Sequence, residues 1–363
     1  MKSPFLYDNV ALDKAFFGRE KEIQKLKSVT QNSNNLLLYS KRRMGKTTLI
    51  KNFLSKNKDT LNIYVDIFDI TSKEDFASSL LKALTSSYNH FDIKKSIQIV
   101  TSFLKRVRVE PSIDPQTLEY SIKPVITGLS FEEMFEEFFE SIQKIAQTKK
   151  VIISIDEFQE IANIKDVKLD AMMRKHIQER QNISYIFLGS KRHILTSLFS
   201  YKAPLFELAE HFALQPLRVE EIYSYAKKHM KISNDDIRHI YDISDGETKL
   251  ILHILHNLFI SQEDITSQLI DTELQNILNS KDTAFRMVFD TLNNNQKLAI
   301  KLVVRYKNNL FSNELLQRYG IKKQTLQSSI NSLFKKEFID KEDGVYFIPD
   351  RSFELWVEKN FKG

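Results

Sequence analysis

The stretch L-L-L-Y-S-K-R-R-M-G-K-T-T-L-I at residues 36–50 decides the fold. Its first four residues are an apolar run, typical of a parallel strand that is buried on both faces. Residues 46–54 favour a helix, and the loop between the two matches the pattern G-x-x-x-x-G-K-[ST] except that Ser40 replaces the first glycine. A strand, a phosphate loop and a helix in this order predict a nucleotide-binding α/β domain.

The residue types of this loop suit a nucleoside triphosphate. Backbone N–H groups at the start of a helix attract phosphate oxygens, and Gly45 lets the chain approach them closely. Lys46 is predicted to contact the β- and γ-phosphates and to assist catalysis, and Thr47 to coordinate Mg²⁺. For the basic side chains at 41–43, phosphate contact and a solvated role both stay open. The further candidates for ATP contact in the loop are Ser40, Arg42, Arg43, Met44 and Thr48.

An acidic pair follows a second apolar run, V-I-I-S-I at 151–155. Ligands of open α/β sheets bind at the carboxyl ends of the strands, where this pair would lie. We expect Asp156 to hold Mg²⁺ through water and Glu157 to polarise the attacking water as a general base. Ser190 follows another apolar run, at 185–188, and is a third catalytic candidate. It would sense the γ-phosphate or the water, with a simple turn-forming role as the alternative.

Strands and helices alternate over residues 16–215, which predicts a parallel sheet with helices on both faces. A further strand is expected at 62–68, and an inserted hairpin at about 100–125. Beyond residue 216 the apolar strands stop, and residues 218–262 favour a small helical bundle. A polar helix at 263–280 then leads into the last segment.

The last segment has the pattern of a winged helix. Residues 294–306, 313–320 and 322–338 predict three helices, and 339–348 predict a β-wing with an Asp-Gly turn. The third helix would meet duplex DNA through polar residues of its N-terminal half. These residues are Lys322, Lys323, Gln324 and Gln327. Packing on the core or binding of a protein partner is the alternative role.

Composition narrows the protein class. The 363 residues suffice for two or three domains, and the absence of cysteine excludes disulfides, thiolate metal sites and cysteine nucleophiles. The N-terminus lacks the apolar core of a signal peptide, and no apolar run approaches the ~20 residues that span a bilayer. We therefore expect a soluble cytoplasmic protein that does not enter the membrane. The net charge of +6 is compatible with nucleic acid or an acidic partner without requiring either, and oligomer formation stays open.

Several motifs in combination resemble the prokaryotic ATPases called archaeal-type ATPases. That group sits with the STAND and Orc/Cdc6-like branches of the AAA+ superfamily. The resemblance covers nearly the whole chain and is specific as a combination. The motifs are FFGREKEI (16–23), LLLYSKRRMGKTTLI (36–50), VIISIDEFQEI (151–161), YIFLGSKRHIL (185–195), APLF (203–206), ALQPL (213–217) and DRSFELWV (350–357).

The resemblance implies an α/β fold with an AAA+-like P-loop NTPase core, a helical lid and a C-terminal winged helix, with ATP and Mg²⁺ as cofactors. It implies an extra strand between the phosphate-loop strand and the strand of Asp156. It places Phe17, Gly18 and Arg19 near the adenine and ribose, and makes Lys249 a candidate for a phosphate contact. The expected domains are 1–215 for the core, 216–282 for the lid and linker helix, and 283–363 for the winged helix-turn-helix.

Two positions depart from the family pattern. Family members often carry Gly-Arg after P-L-F, where this chain has Glu207-Leu208, and Thr248 replaces the proline of a Gly-x-Pro turn. An arginine finger raises turnover by ~10³–10⁵, so its absence predicts slow hydrolysis unless Arg192 or a neighbouring subunit supplies the charge. The leading hypothesis is a slow ATPase switch in which ATP closes the lid and repositions the winged helix. The alternatives are a DNA-binding regulator or initiator-like protein with mainly structural nucleotide, and an ATPase component of a module whose output lies in a separate protein.

Overall fold

A computed structural model describes residues 2–88, 93–113, 120–178, 181–342 and 344–361, and at 93–96, 113, 120 and 192 the backbone alone. Within these ranges the chain forms nine strands and sixteen α-helices. The strands are β1 Leu36–Tyr39, β2 Leu61–Asp66, β3 Arg108–Ile113, β4 Tyr120–Val125, β5 Val151–Asp156, β6 Ile183–Gly189, β7 Glu210–Ala213, β8 Asp340–Glu342 and β9 Val345–Phe347. The helices are α1 Glu20–Gln31, α2 Lys46–Lys56, α3 Lys73–Ser86, α4 Ile93–Phe103, α5 Phe131–Ala146, α6 Leu169–Gln178, α7 Arg192–Leu198, α8 Val219–Ala226, α9 Asn234–Ser244, α10 Thr248–Ser261, α11 Ser267–Ser280, α12 Asp282–Asp290, α13 Asn294–Tyr306, α14 Asn313–Arg318, α15 Lys323–Lys335 and α16 Arg351–Asn360.

The chain divides into two compact units. The core unit comprises Ala11–Lys41 and Lys46–Gln215. The C-terminal unit comprises Met1–Val10, Arg42–Gly45 and Pro216–Gly363. Four residues of the phosphate loop therefore cluster with the C-terminal unit, although both of their neighbours in the sequence belong to the core.

The core unit is built on a five-stranded parallel sheet with the order β2-β5-β6-β1-β7. Strand β6 lies between β1 and β5, so the extra strand that the resemblance implies is present. The side chains of β5 and β6 are buried throughout, which explains why both strands appear as continuous apolar runs. The parallel arrangement brings the carboxyl ends of β1, β2, β5 and β6 to one edge of the sheet.

Strand β7 was not predicted from the sequence. Its residues are E-H-F-A, and it pairs with β1 at the end of the sheet, with Leu36 opposite Glu210. Because its side chains are exposed or only half-buried, the strand lacks the apolar run that identified the others. The fifth strand was therefore missed because it lies at the edge of the sheet and has a polar sequence.

Helices cover the sheet through faces that the sequence already marked. Helix α5 begins at a capping box formed by Ser130 and Glu133 and buries an aromatic face. Phe135 and Phe138 of this face are fully buried in the core cluster. Strands β3 and β4 pair antiparallel beside α4 and form the hairpin predicted at about 100–125, of which residues 114–119 lie outside the described residues.

The C-terminal unit combines a helical bundle with a winged helix. Helices α8 to α11 form the bundle, and α13, α14 and α15 correspond to the three helices predicted for the winged helix. The wing is the antiparallel pair β8–β9, while Asp343 of the predicted turn is outside the described residues. A further helix, α16, carries Trp356, whose indole N–H donates to Asp282 at 2.8 Å. In the parts of the chain that the structure describes, no helix is both long and apolar enough to cross a bilayer.

Candidate nucleotide site

The carboxylate of Asp156 is the centre of a hydrogen-bonded group at the carboxyl edge of the core sheet. It is 2% exposed, and its Oδ2 accepts hydrogen bonds from Thr47 Oγ1 and from the Tyr64 hydroxyl, each at 2.6 Å. Its Oδ1 accepts the backbone N–H of Glu157 at 3.0 Å. A buried carboxylate is stable only when such donors replace water. The structure thus joins the two predicted magnesium residues, Thr47 and Asp156.

Tyr64, on β2, is a member of this group that the sequence did not reveal. Burial, and then the charge of Asp156, raise the pKa of the Tyr64 phenol well above its usual value, so it remains a donor to that carboxylate. The Lys51 ammonium lies 4.5 Å from the centre of its ring. A tyrosine inside an alternating strand is ordinarily a packing residue, so only its neighbours in space identify it.

Lys46 is folded back into its own loop within the core unit. The side chain is 7% exposed, and its Nζ donates to Ser40 Oγ at 3.1 Å and to the carbonyls of Ser40 and Lys41 at 3.3 and 3.2 Å. The serine that replaces the family glycine therefore adds a hydroxyl partner for the lysine. A triphosphate would have to draw Lys46 away from these oxygens.

Gly45 has a backbone that only glycine adopts easily. Its φ is +88°, and apart from the glycine and its two chain neighbours no heavy atom of the described residues lies within 4 Å of the place where a Cβ would stand. The space beside the loop is thus open. Thr48 is half-buried at the start of α2, and Met44 is buried.

Glu157 lies beside Ser190 and Gln159. Its Oε2 accepts the Gln159 amide, and also the Ser190 hydroxyl at 3.4 Å. With Thr47 and Asp156, Glu157 lines a cavity of about 510 Å³. Two of the three predicted catalytic residues therefore touch each other, and Gln159 joins them without having been predicted.

The loop arginines contact carboxylates within the C-terminal unit. Arg43, with φ +64°, pairs with Asp350 and lies 3.9 Å from Glu247, while Arg42 pairs with Glu337. Burial opposes the charge of Arg43, but Asp350 and Glu247 outweigh it and raise the pKa of the guanidinium. The backbone takes part as well, because the Arg43 carbonyl accepts the N–H of Lys249 at 3.2 Å.

Glu247 is the most deeply buried acid of this group, at 5% exposure. Burial, reinforced by the charge of Asp350, raises its pKa to about 7, while Arg43 and the N–H of Arg351 at 3.2 Å oppose the shift. Asp350 also accepts the N–H of Phe353 at 3.2 Å and so caps α16. One carboxylate thus serves both the loop and a helix of the winged helix.

The remaining predicted ATP contacts occupy other positions. Arg19 is buried in the core unit and donates to the Gln215 carbonyl at 2.5 Å and to Glu22 at 3.1 Å. Lys249 pairs with Asp8 at 2.7 Å in the C-terminal unit. Gly18 has φ +64°, and Phe17 is half-buried. Their proximity to adenine, ribose or phosphate stays a prediction, and the side chain of Arg192 is not among those described.

The oxygen ligands at the carboxyl edge of the core sheet are of the kind that a magnesium ion takes. Mg²⁺ in nucleotide sites takes one or two carboxylates, a hydroxyl and phosphate oxygens in place of a complete protein cage. Thr47 and Asp156 supply a hydroxyl and a carboxylate in contact. The described residues hold no cluster of three or more histidines, cysteines or acids that could bind a metal ion.

A family model described as an ATPase domain predominantly from Archaea matches residues 16–254. The chain belongs to this family. The archaeal-type ATPase domain is followed by a match to a probable winged helix domain at residues 283–359. The chain therefore combines an ATPase domain of this family with a C-terminal winged helix.

Individual relatives of this archaeal-type ATPase are distant. The uncharacterized ATP-binding protein MJ0147 of Methanocaldococcus jannaschii is 22% identical over 290 residues, which are 72% of this chain and 75% of that protein. The Walker-type ATPase PABY2304 of Pyrococcus abyssi has a TM-score of 0.65 at 18% identity, covering 98% of this chain and all of its own. The ORC1 protein of Aeropyrum pernix in complex with DNA has a TM-score of 0.53 at 14% identity, over 98% and 96% of the two chains. At these identities the solved structures share the fold.

Proposed function

We propose that this archaeal-type ATPase binds Mg-ATP, hydrolyses it slowly, and relays its nucleotide state to the winged helix. The observation that carries the proposal is the contact between Thr47 and Asp156 at 2.6 Å, with Glu157 lining the same cavity. Hydroxyl, carboxylate and candidate base thus occur together at the edge where open α/β sheets bind ligands. The family match supports the ATP-binding part.

Each residue has a role in this proposal. Lys46 neutralises the β- and γ-phosphates, while Thr47 and Asp156 hold the metal. Mg²⁺ supplies charge neutralisation for the phosphate oxygens. Glu157 accepts a hydrogen bond from the attacking water and then its proton. The chain carries Glu207-Leu208 after its P-L-F motif, so no arginine at that position speeds the reaction.

Two substitutions test binding and hydrolysis separately. Lys46→Ala is expected to abolish retention of ATP, and Lys56→Ala, which removes a charge from the last turn of the same helix, is the matched control. Glu157→Gln is expected to bind ATP normally and to turn it over roughly 10²–10⁴ times more slowly. Unchanged turnover in Glu157→Gln would reject the general base. Wild-type protein that retains ATP without hydrolysing it would favour the regulator with a structural nucleotide.

The relay is proposed to run through Arg42 and Arg43. Both belong to the phosphate loop by sequence, and both pair with carboxylates of the winged helix, Glu337 and Asp350. Phosphate oxygens and carboxylates compete for the same guanidinium groups, because both accept bidentate hydrogen bonds. Glu337 follows α15, the expected recognition helix, and Asp350 begins α16. ATP would therefore alter contacts at two points of the winged helix.

Linkage gives this relay a measurable consequence. If Asp350 and ATP compete for Arg43, removing the charge of Asp350 must raise ATP affinity. Asp350→Asn is expected to lower the Kd for ATP by about 5-fold, within the range of typical coupling energies. Asp290→Asn, which alters an exposed acid paired with Lys297 on α12 and α13, is the control. An unchanged Kd in Asp350→Asn would remove the relay while leaving ATP binding intact.

Duplex DNA is a second candidate partner for the winged helix. Lys322, Lys323 and Gln324 are exposed at the start of α15, whereas Gln327 is half-buried and donates to Asn331 at 3.0 Å. The fold shared with an ORC1 protein that was solved on DNA supports the same idea. DNA retention should fall steeply between 50 and 200 mM salt, and the double change Lys322→Gln, Lys323→Gln should weaken it and flatten the salt slope. Absence of retention at ~50 mM salt would leave a protein partner as the alternative.

A further inference from the structure

Glu157 stands in an unfavourable local conformation. Its φ is +54°, in the left-handed region that few residues other than glycine adopt. The residue precedes a short 3₁₀ helix at Phe158–Asn163, and its N–H turns back to Asp156 Oδ1. Strain of this kind persists only where the surroundings impose it, and it concentrates at functional sites.

A second unfavourable feature lies next to it. Gln159 is 1% exposed, and its amide nitrogen donates to Glu157 and, at 3.4 Å, to Glu160. Because both neighbours are carboxylates, which only accept, the NH₂ group must face them. The amide oxygen is consequently turned away and buried, and it has no hydrogen-bond partner among the residues that the structure describes. Leaving such an acceptor unsatisfied destabilises the folded state.

The surroundings are shaped to hold the amide in this position. Glu160 is fixed by Lys191 at 2.8 Å and by Asn163 at 2.6 Å. On the other side, a Cβ added at Gly189 would overlap the Gln159 oxygen and would lie 2.7 Å from Leu195 Cδ1. Gly189 therefore provides room for the amide. We call the group formed by Gln159, Glu160, Lys191 and Gly189 the amide clamp.

We infer that Gln159 is a positioning residue that fixes the Glu157 carboxylate for water activation. The Gln159 amide and the Ser190 hydroxyl both donate hydrogen bonds to Oε2 of Glu157. Oε1 is then the oxygen of this carboxylate that can accept a hydrogen bond from water in the cavity that Glu157 shares with Thr47 and Asp156. A fixed base loses less entropy when the reactants align. This role rests on the proposed hydrolysis. It explains both the strained backbone of Glu157 and the unsatisfied Gln159 oxygen, because both follow from holding the Glu157 carboxylate in one position.

The test separates kcat from KM in three variants. Gln159→Met keeps the size of the side chain but removes the amide, and should lower kcat by about 10-fold with KM for ATP unchanged. Gly189→Ala should lower kcat in the same way, because its methyl group displaces the Gln159 amide while every polar group remains. Gln178→Met, at an exposed position of α6, is the control.

A charge variant gives the readout that a packing role would not change. Gln159→Glu places a carboxylate against Glu157 and Glu160, with Lys191 as the compensating cation. Like charges resist ionisation together, so the acidic limb of the kcat profile should move up by about one pH unit. Gln159→Met should lower kcat without this shift of the acidic limb, because it adds no charge.

Each outcome has a distinct meaning. Turnover in Gln159→Met and Gly189→Ala equal to wild type, or an unmoved acidic limb in Gln159→Glu, would reject the amide clamp alone. A parallel rise in KM would show that the clamp shapes ATP binding and would also reject the positioning role. Wild-type turnover no higher than that of Lys46→Ala would reject the proposed hydrolysis together with the role of Gln159 in it.

Discussion

One carboxylate site of the core unit and one of the C-terminal unit are held in different ways. Asp156 of the core is surrounded by neutral donors, two hydroxyls and a backbone N–H. Asp350 and Glu247 of the C-terminal unit instead face the cationic Arg43. Neutral donors fix a carboxylate without cancelling its charge, so a metal ion can still be attracted to it. An ion pair satisfies both charges and changes only when another charge replaces one partner. The first arrangement suits a permanent binding site, the second an exchangeable contact.

Of the changes that compare the two carboxylate sites, the one expected to have the largest effect removes the charge of Asp156, the carboxylate held by neutral donors. Asp156→Asn keeps the shape but leaves the metal without its carboxylate, so turnover should fall by roughly 10²–10³, equivalent to several kcal/mol. The control is Asp66→Asn, because Asp66 is opposite Asp156 in the sheet but exposed. Steady-state ATP hydrolysis at varied Mg²⁺ measures both. Equal losses in the two variants would show that the edge acts through general negative charge.

The next effect is the pH dependence of stability that arises from Glu247, which lies beside Arg43. The pKa of Glu247 rises from 4.5 to about 7 on folding, so its contribution to stability is full below pH ~4.5 and is lost as pH rises toward ~7. The free energy of unfolding of Glu247→Gln should equal that of the wild type near pH 4.5 and should be about 3 kcal/mol larger at pH 8. Denaturation followed by the fluorescence of Trp356, the one tryptophan of the chain, reports on this unit. His253, whose pKa burial lowers to about 4, affects both proteins equally and cancels in the difference. A constant difference across this pH range would contradict the assignment.

A smaller effect separates the two roles of Asp350. Asp350→Asn retains a good helix cap and loses only the charge, so it should cost under about 1 kcal/mol, because this partly exposed ion pair is screened by water. Asp350→Ala loses the cap as well and should cost about 1–2 kcal/mol. The same Trp356 fluorescence measures the difference. Identical stabilities of the two variants would mean that the cap contributes nothing.

A comparably small effect is expected at Tyr64. Tyr64→Phe removes one of two hydroxyls from Asp156 Oδ2 and leaves Thr47 in place, so it should cost about 1 kcal/mol and reduce turnover only a few-fold. A loss as large as that of Asp156→Asn would make Tyr64 an essential part of the metal site. That result would also mean that the Asp156 site, like a site held by a single ion pair, depends on one partner.

Local patterns made much of the fold predictable. The buried strands β1, β5 and β6 are continuous apolar runs, and the phosphate loop carries a fixed spacing of glycine, lysine and threonine. Strand β7 was missed because edge strands need no apolar run. Tyr64 and Gln159 were missed because a tyrosine in a strand and a glutamine after an acidic pair are common without function. The partners of Arg42 and Arg43 lie near the far end of the chain, and no local pattern encodes such contacts.

The clustering of Arg42–Gly45 with the C-terminal unit also has a consequence for biosynthesis. A ribosome completes these residues before it reaches the winged helix, and domains tend to fold as they emerge, with the N-terminal part first. Asp350 is translated long after Arg43, so Arg43 meets this partner only after most of the winged helix has been made. Paired loop arginines thus mark a chain whose winged helix has already been synthesised. A product terminated before residue 350 would contain the nucleotide motifs but lack the contact between Arg43 and Asp350.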